Sequence, residues 1–146
     1  MQNDAEHKIL KLIPITSGFE IPPKVFIDME GEFINFVENQ SLAIRFPNKE
    51  RYMNPLGFMQ GGMIVAAIDN TISPLSYTLG IPNITKEIST QFKRPVYKTD
   101  SYIDVIATIL STTSENIVLE ADVRNEKGKQ VATGLATCVF IKERKY

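Results

Sequence analysis

The segment from Met53 to Thr85 carries a single charged residue, Asp69, and it limits the possible folds more than any other feature. Within it, Gly61 to about Gly80 has the pattern of one long helix, which is apolar on nearly every side from Met63 to Ile68. Three prolines and a central charge argue against a membrane span. We therefore predict a helix wrapped by the rest of a soluble domain, with Pro74 kinking or breaking it near its end.

Alternating strand patterns flank this helix, two before it and four after it. Antiparallel strands with one apolar face need a cover, and the helix is the only large apolar cover available. We expect an α+β domain in which one sheet curls around the helix. In the last strand, the alternation places Val131, Leu135 and Val139 on one face. The predicted strands are Glu32 to Glu38, Ser41 to Phe46, Thr85 to Val96, Ser101 to Leu110, Asn116 to Arg124 and Gln130 to Ile141, with a hairpin turn at Asn125 to Gly128.

The length of 146 residues predicts a single domain spanning residues 1–146. Residues 1–27 are expected to be an N-terminal extension, with a short helix from Asp4 to Ile13 and an irregular part from Thr16 to Ile27. The net charge of -1 argues against nucleic acid or an anionic membrane as the main partner. One cysteine, Cys138, excludes an internal disulfide, and the N-terminus lacks a signal-peptide pattern, so we infer a cytoplasmic protein.

Gly61 and Gly62 lie where a loop becomes the long helix. The first turn of a helix has N–H groups without internal partners, and the helix dipole adds positive potential there. Glycine lets a ligand approach the backbone closely, so this helix start suits a phosphate or a developing oxyanion. The alternative is a hinge whose small residues serve packing alone.

Asp69 is the stronger signal, because an unpaired buried carboxylate is costly and this segment has no Lys or Arg to pair with it. A structural role, as a cap or as part of a solvent-facing stripe with Asn70, Thr71 and Ser73, is the alternative. Eight residues along a helix correspond to about 12 Å of rise. One carbonyl held at Gly61 therefore cannot touch Asp69 of the same chain, since reacting atoms lie within ~3.5 Å. If both act in one reaction, Asp69 must come from a second copy.

At these residues the chain resembles the PaaI-like branch of the hotdog thioesterase superfamily. The family pattern has an Asn, a short loop, His-Gly-Gly, and an apolar helix with Asp eight residues past the first Gly. A Ser or Thr follows, and then a strand that ends in an aromatic or apolar residue, two further residues and Pro. The matching positions here are Asn54, Gly61, Gly62, Asp69, Thr85 and Phe92 to Pro95, within a resemblance that spans roughly residues 30 to 141.

The resemblance implies a hotdog fold and hydrolysis of an acyl or aryl thioester of CoA. The N–H of Gly61 would bind the thioester carbonyl oxygen, with Asn54 near the same group. Asp69 of the partner subunit would act as nucleophile or as base on water, and Thr85 of the partner subunit would help to position that water. The family is usually a homodimer or a dimer of dimers. It needs no metal and no cofactor other than the CoA of the substrate.

Further residues near the motif are candidates for substrate binding. Lys93 and Arg94 would meet CoA phosphates at the mouth of the site, or else form a solvated strand end. Phe58 and Met63 would line an apolar acyl pocket next to Gly62.

One departure from the family pattern is Gln60, which stands where the family has His. The only histidine of the chain is His7, so no Ser-His-Asp arrangement is possible. Gln60 can still hydrogen-bond through its amide. A non-catalytic acyl-CoA-binding module, a hydratase and a structural dimer are the alternative functions; the absence of a histidine near the helix argues against the hydratase.

Overall fold

A computed structural model of the chain describes residues 3–14 and 19–141. In this part of the chain, six antiparallel strands form one sheet in the order β1-β2-β4-β5-β6-β3, curled around one long helix, α3. The predicted α+β architecture is therefore confirmed. The helices are α1 (Asp4–Leu12), α2 (Lys24–Asp28) and α3 (Gly61–Tyr77), and the strands are β1 (Glu32–Val37), β2 (Ser41–Pro47), β3 (Asn83–Phe92), β4 (Tyr102–Thr112), β5 (Asn116–Asn125) and β6 (Gln130–Phe140).

Helix α3 packs one face on the sheet, with Ile64, Ala67, Ile68 and Leu75 buried at the contact. The helix does not break at Pro74 but continues through it and ends three residues later, at Tyr77. None of the helices described has the length and apolar character that a membrane crossing requires.

The apolar face predicted for the last strand is wrong. Leu135 is 50% exposed, whereas Ala136 and Cys138 are buried under the helix. The reason is the small distance between α3 and β6: a Cβ at Gly134 would lie 3.2 Å from Cδ1 of Ile68. Only small residues fit beneath the helix here, so Leu135 points to the other face of the sheet, whereas Val131, at the start of β6, is fully buried.

The N-terminal segment packs against the domain, with Ile9 of α1 fully buried and Phe26 of α2 against Phe33 and Phe46. The predicted first helix is confirmed, with its last residue at Leu12 rather than Ile13. The irregular prediction for Thr16 to Ile27 is wrong at its C-terminal end, where α2 begins at Lys24. Its first residues lie outside the described part of the chain.

Strand β3 forms one edge of the sheet and pairs only with β6 among the described strands. It leaves Ile84 and Phe92 each 54% exposed. It runs from Asn83 to Phe92, whereas the predicted strand ran from Thr85 to Val96. The strand therefore starts two residues before the predicted start and ends four residues before the predicted end. An edge strand with exposed large apolar side chains is an expected place for another chain to pair.

Candidate active site

The loop before α3 is held in place by its own hydrogen bonds. The side-chain oxygen of Asn54 accepts from the N–H of Leu56 at 2.9 Å and from that of Phe58 at 3.0 Å. The N–H of Gln60 donates to the carbonyl of Tyr52 at 2.8 Å. These contacts fix the position at which the chain enters the helix.

The first helical residue, Gly61, has a free N–H. Among the residues that the structure describes, neither its N–H nor that of Gly62 has an acceptor. Both groups lie at the positive end of a 17-residue helix, so they offer two donors to an anion or oxyanion. Gly61 lines a cavity of about 380 Å³ together with Asn54, Phe58, Phe92, Lys93 and Arg94.

Asp69 lies two turns further along α3 and is half-buried. One of its oxygens, Oδ1, accepts a hydrogen bond of 2.8 Å from the hydroxyl of Thr85 on β3. No lysine or arginine of residues 3–14 and 19–141 forms an ion pair with it. The carboxylate is therefore held on one side only, and its second oxygen is not committed to a described residue.

Two ionisable side chains near Asp69, those of Cys138 and Tyr77, have raised pKa values. Burial raises the pKa of the Cys138 thiol, which lies 4.0 Å from the Thr85 hydroxyl, and the Asp69 carboxylate adds to this effect. Burial likewise raises the pKa of Tyr77, again with a contribution from Asp69. Both groups therefore keep their protons near neutral pH.

Gly61 and Asp69 face different cavities of the same chain. Asp69 lines a cavity of about 370 Å³ between α3 and the N-terminal segment, and no residue is shared with the cavity at Gly61. The two positions are about 12 Å apart along the helix. Strand β3 runs beside α3 and connects them, with Thr85 at Asp69 and the Phe92 ring against Gly61. One chain thus presents two half-sites, which we name the glycine half-site (Asn54, Gly61) and the carboxylate half-site (Asp69, Thr85).

Comparison with known proteins assigns this arrangement to a family. The family model named thioesterase superfamily matches residues 56–132, which is more than half of the chain and contains both Gly61 and Asp69. The chain belongs to the thioesterase superfamily. A protein of Saccharolobus solfataricus, named as a candidate esterase, is 25% identical over 86% of this chain and 89% of its own length.

Solved structures share the fold of this thioesterase-superfamily protein. The PaaI protein from the phenylacetic acid degradation operon of E. coli aligns with a TM-score of 0.77 and 15% identity, over 82% of this chain and 86% of PaaI. The smu.793 protein of Streptococcus mutans UA159, whose structure contains acetyl CoA, aligns with a TM-score of 0.74 and 16% identity, over 90% and 100% of the two chains. The predicted hotdog fold and the resemblance to PaaI-like thioesterases are confirmed.

Most of the predicted site residues fall into the two half-sites or the cavity walls next to them. Phe58, Lys93 and Arg94 line the cavity at the glycine half-site. Gln60 is exposed, and its side chain does not cap the helix. Met63 packs against the core and lines neither cavity.

The wall opposite Asp69 was not predicted from the sequence. Phe19, Val25 and Phe26 of the N-terminal segment line the cavity of about 370 Å³ at Asp69, as does Tyr77 of α3. The only signal for them was the apolar character of the segment around Phe19 and Phe26. Of the residues considered as a solvent-facing stripe, Asn70 and Ser73 line the same cavity, but Thr71 is fully buried and its hydroxyl donates to the carbonyl of Ala67.

Proposed function

We propose that this member of the thioesterase superfamily hydrolyses an acyl-CoA thioester to the free acid and CoA. The N–H of Gly61 would stabilise the oxyanion formed at the thioester carbonyl, and Asp69 of the partner subunit would supply the base or nucleophile. The observation that carries this proposal is the pair of half-sites, one with free helix N–H donors and one with a carboxylate held on a single side. A thioester is already activated, so an oxyanion site and one carboxylate suffice.

In the general-base route, Asp69 takes a proton from water as the water oxygen bonds to the thioester carbon. The carbonyl oxygen gains negative charge and is stabilised by the Gly61 N–H. The C–S bond then breaks, and the thiolate of CoA takes up the proton. In the nucleophilic route, an oxygen of the Asp69 carboxylate bonds to the thioester carbon, the C–S bond breaks and the CoA thiolate leaves. Water then hydrolyses the resulting anhydride to the free acid and the Asp69 carboxylate, and a proton of that water passes to the thiolate. Neither route needs a metal or a further cofactor.

The edge strand β3 supports a dimer in which the half-sites meet. If β3 pairs antiparallel with β3 of a second copy, the Phe92 end of one strand lies beside the Thr85 end of the other. Phe92 contacts Gly61, and Thr85 contacts Asp69, so this pairing brings each glycine half-site toward a carboxylate half-site. It also covers the exposed Ile84 and Phe92 side chains.

The CoA portion would lie at the glycine half-site. Lys93 and Arg94 line the cavity there, and both are exposed, with Arg94 already donating to the carbonyl of Gln130 at 2.8 Å. Two cations beside the helix start suit the phosphates of CoA. The S. mutans structure with acetyl CoA supports this class of ligand.

A non-catalytic acyl-CoA-binding module is the second candidate. The exposed Gln60, which replaces the histidine of the family and makes no side-chain bond to the helix start, favours it. The two candidates differ in the chemistry assigned to Asp69, since binding alone does not require a carboxylate.

The test measures release of free thiol from a panel of acyl-CoA thioesters by the wild type, Asp69→Ala and Asp69→Asn. We expect the wild type to turn over at least one thioester and both variants to lose most of that rate without losing their fold. Acyl-CoA binding without turnover by the wild type would favour the binding module. Equal rates in all three proteins would remove Asp69 from the mechanism.

A mixing experiment tests whether the site is shared. Chains with Asp69→Ala lack the carboxylate, and chains with Gly61→Pro lack the helix N–H donor. After subunit exchange at equal amounts, hybrid dimers regain one of two sites, so about a quarter of the wild-type activity should return. Failure to recover activity, with exchange verified by mass spectrometry, would contradict a shared site.

A further inference from the structure

We propose that the acyl group is an uncharged apolar chain of medium length or a single aromatic ring, held between α3 and the N-terminal segment. This inference rests on the proposed function and extends it to the class of substrate. The cavity concerned, which we name the acyl cavity, has a volume of about 370 Å³ and contains Asp69 in its wall.

One wall of the acyl cavity is a continuous stripe of α3. Ala66, Asp69, Asn70, Ser73 and Tyr77 follow each other at helical spacing and therefore share one face. This face points away from the sheet, because the residues that contact the sheet, such as Ile68, lie on the other side of the helix. A carbonyl attacked at Asp69 would thus have its acyl chain directed along this stripe.

The opposite wall comes from the N-terminal segment and is mainly apolar. Leu10 and Ile13 contribute from the region of α1, and Val25 and Phe26 from α2. Phe26 is buried and anchored by Phe33, which also lines the cavity. An apolar lining with a few polar groups is typical of a pocket that binds an apolar ligand.

The charges around the acyl cavity exclude a carboxylate on the acyl group. Glu6, Glu20 and Asp69 line it, and none of the described residues that line it is a lysine, arginine or histidine. A second carboxylate in the substrate would meet three carboxylates, of which only Glu20 has a cation beside it, Lys24 at 3.9 Å, so its binding is disfavoured. The structure therefore points to monocarboxylic acyl groups.

The size of the acyl cavity sets an upper limit on the chain. Phe19 packs edge-to-face on Tyr77, with ring centroids 6.0 Å apart, and both residues line the cavity. Tyr77 is eight residues beyond Asp69, or about 12 Å along the helix. The volume is near the lower end of the range for small-molecule pockets, roughly 300–1,000 Å³. A long fatty acyl chain does not fit without displacing this aromatic pair.

The first test compares kcat/KM for acetyl-, hexanoyl-, benzoyl-, glutaryl- and palmitoyl-CoA. We expect hexanoyl- or benzoyl-CoA to be turned over best. Glutaryl-CoA, which is close to hexanoyl-CoA in length but carries a terminal carboxylate, should be at least tenfold worse. A preference for palmitoyl- or glutaryl-CoA would overturn the proposal.

Two variants move the specificity in opposite directions. Ser73→Phe fills the acyl cavity one turn beyond Asp69, so the ratio of kcat/KM for hexanoyl-CoA to that for acetyl-CoA should fall at least tenfold. Phe19→Ala removes one half of the aromatic pair, so the ratio for palmitoyl- to hexanoyl-CoA should rise. Ser114→Phe, at an exposed turn between β4 and β5, is the matched control and should change neither ratio.

Thermal melting and gel filtration separate a specificity effect from a folding defect. If Ser73→Phe fails to fold, Val25→Phe places the same ring in the cavity from an exposed position on α2. Loss of the same fraction of activity on all acyl groups, in folded variants, would overturn the acyl-cavity proposal while leaving Asp69-dependent hydrolysis intact. Absence of turnover in the wild type would instead contradict the proposed function itself.

Discussion

Replacing Gly61 with proline is the most direct test of the oxyanion site, because it deletes a backbone donor that no side-chain substitution can reach. Gly61 is the first residue of α3, and proline is well tolerated at this position. Gln60 has φ -62° and ψ 136°, an extended conformation that a residue before proline prefers. The substitution should therefore change stability by less than about 1 kcal/mol.

Gly61→Ala is the matched control for this substitution. It adds the same Cβ, which would lie 3.0 Å from the Phe92 ring, but it keeps the N–H. The contact of this Cβ with the Phe92 ring is therefore common to both variants. Any difference between the two variants therefore reports the N–H rather than the contact with Phe92.

The expected fall in kcat for Gly61→Pro depends on the number of hydrogen-bond donors that remain at the helix start. Loss of one oxyanion donor typically lowers kcat by about 10²–10³, or about 2.7–4 kcal/mol. The Gly62 N–H and the Asn54 amide lie close by and retain part of the stabilisation, so we expect the lower end, about a hundredfold relative to Gly61→Ala. The assay follows thiol release at saturating and at limiting acyl-CoA, with melting curves for both variants. Equal kcat in the two folded variants would refute the oxyanion role of Gly61.

Three further predictions concern the surroundings of the half-sites. Thr85→Val removes the hydroxyl donor to Asp69, a charge-assisted bond of about 1.5–3 kcal/mol, so kcat should fall about tenfold or more while Thr85→Ser restores it; an unchanged kcat would contradict the positioning role. Replacing Lys93 and Arg94 with Gln should raise KM for an acyl-CoA several-fold but not for the corresponding N-acetylcysteamine thioester, which has no phosphates; equal effects on both would argue against phosphate binding. Because burial raises its pKa, Cys138 should resist a thiol reagent in the native protein near neutral pH and react after unfolding, and rapid labelling of folded protein would contradict the burial.

The sheet order around one buried helix was predictable because hydrophobic alternation is clear in most strands. In β5, Ile117, Leu119 and Val123 lie at alternate positions of one face, and all three are buried as expected. In β6 the alternation was misleading after Val131, since the buried positions that follow hold Ala, Gly and Cys while Leu135 faces outward. Side-chain hydrophobicity alone does not show that the helix passes too close to β6 for a large residue, and only the contact between Ile68 and Gly134 explains it.

The separation of the two half-sites could be predicted, because Gly61 and Asp69 are eight residues apart on one helix whatever surrounds them. The residues that surround each half-site depend on how distant elements of the chain pack together, which the local sequence does not encode. The Thr85 hydroxyl reaches Asp69 because β3 follows α3 back along its length. The N-terminal wall was not predictable, because its residues come from a segment with irregular structure and a helix of five residues.

The glutamine at position 60 is compatible with catalysis for a physical reason that the geometry makes clear. Its contribution to the site runs through the backbone: its N–H anchors the loop to Tyr52, and its carbonyl accepts the first hydrogen bonds of α3, from Met63 and Ile64. Any residue except proline can make these bonds. The proposed oxyanion donor is likewise a backbone group, and the proposed base is the Asp69 carboxylate on helix α3 of the partner subunit. A side-chain change at position 60 therefore leaves both proposed catalytic groups in place, whereas a change at Gly61 or Asp69 removes one of them.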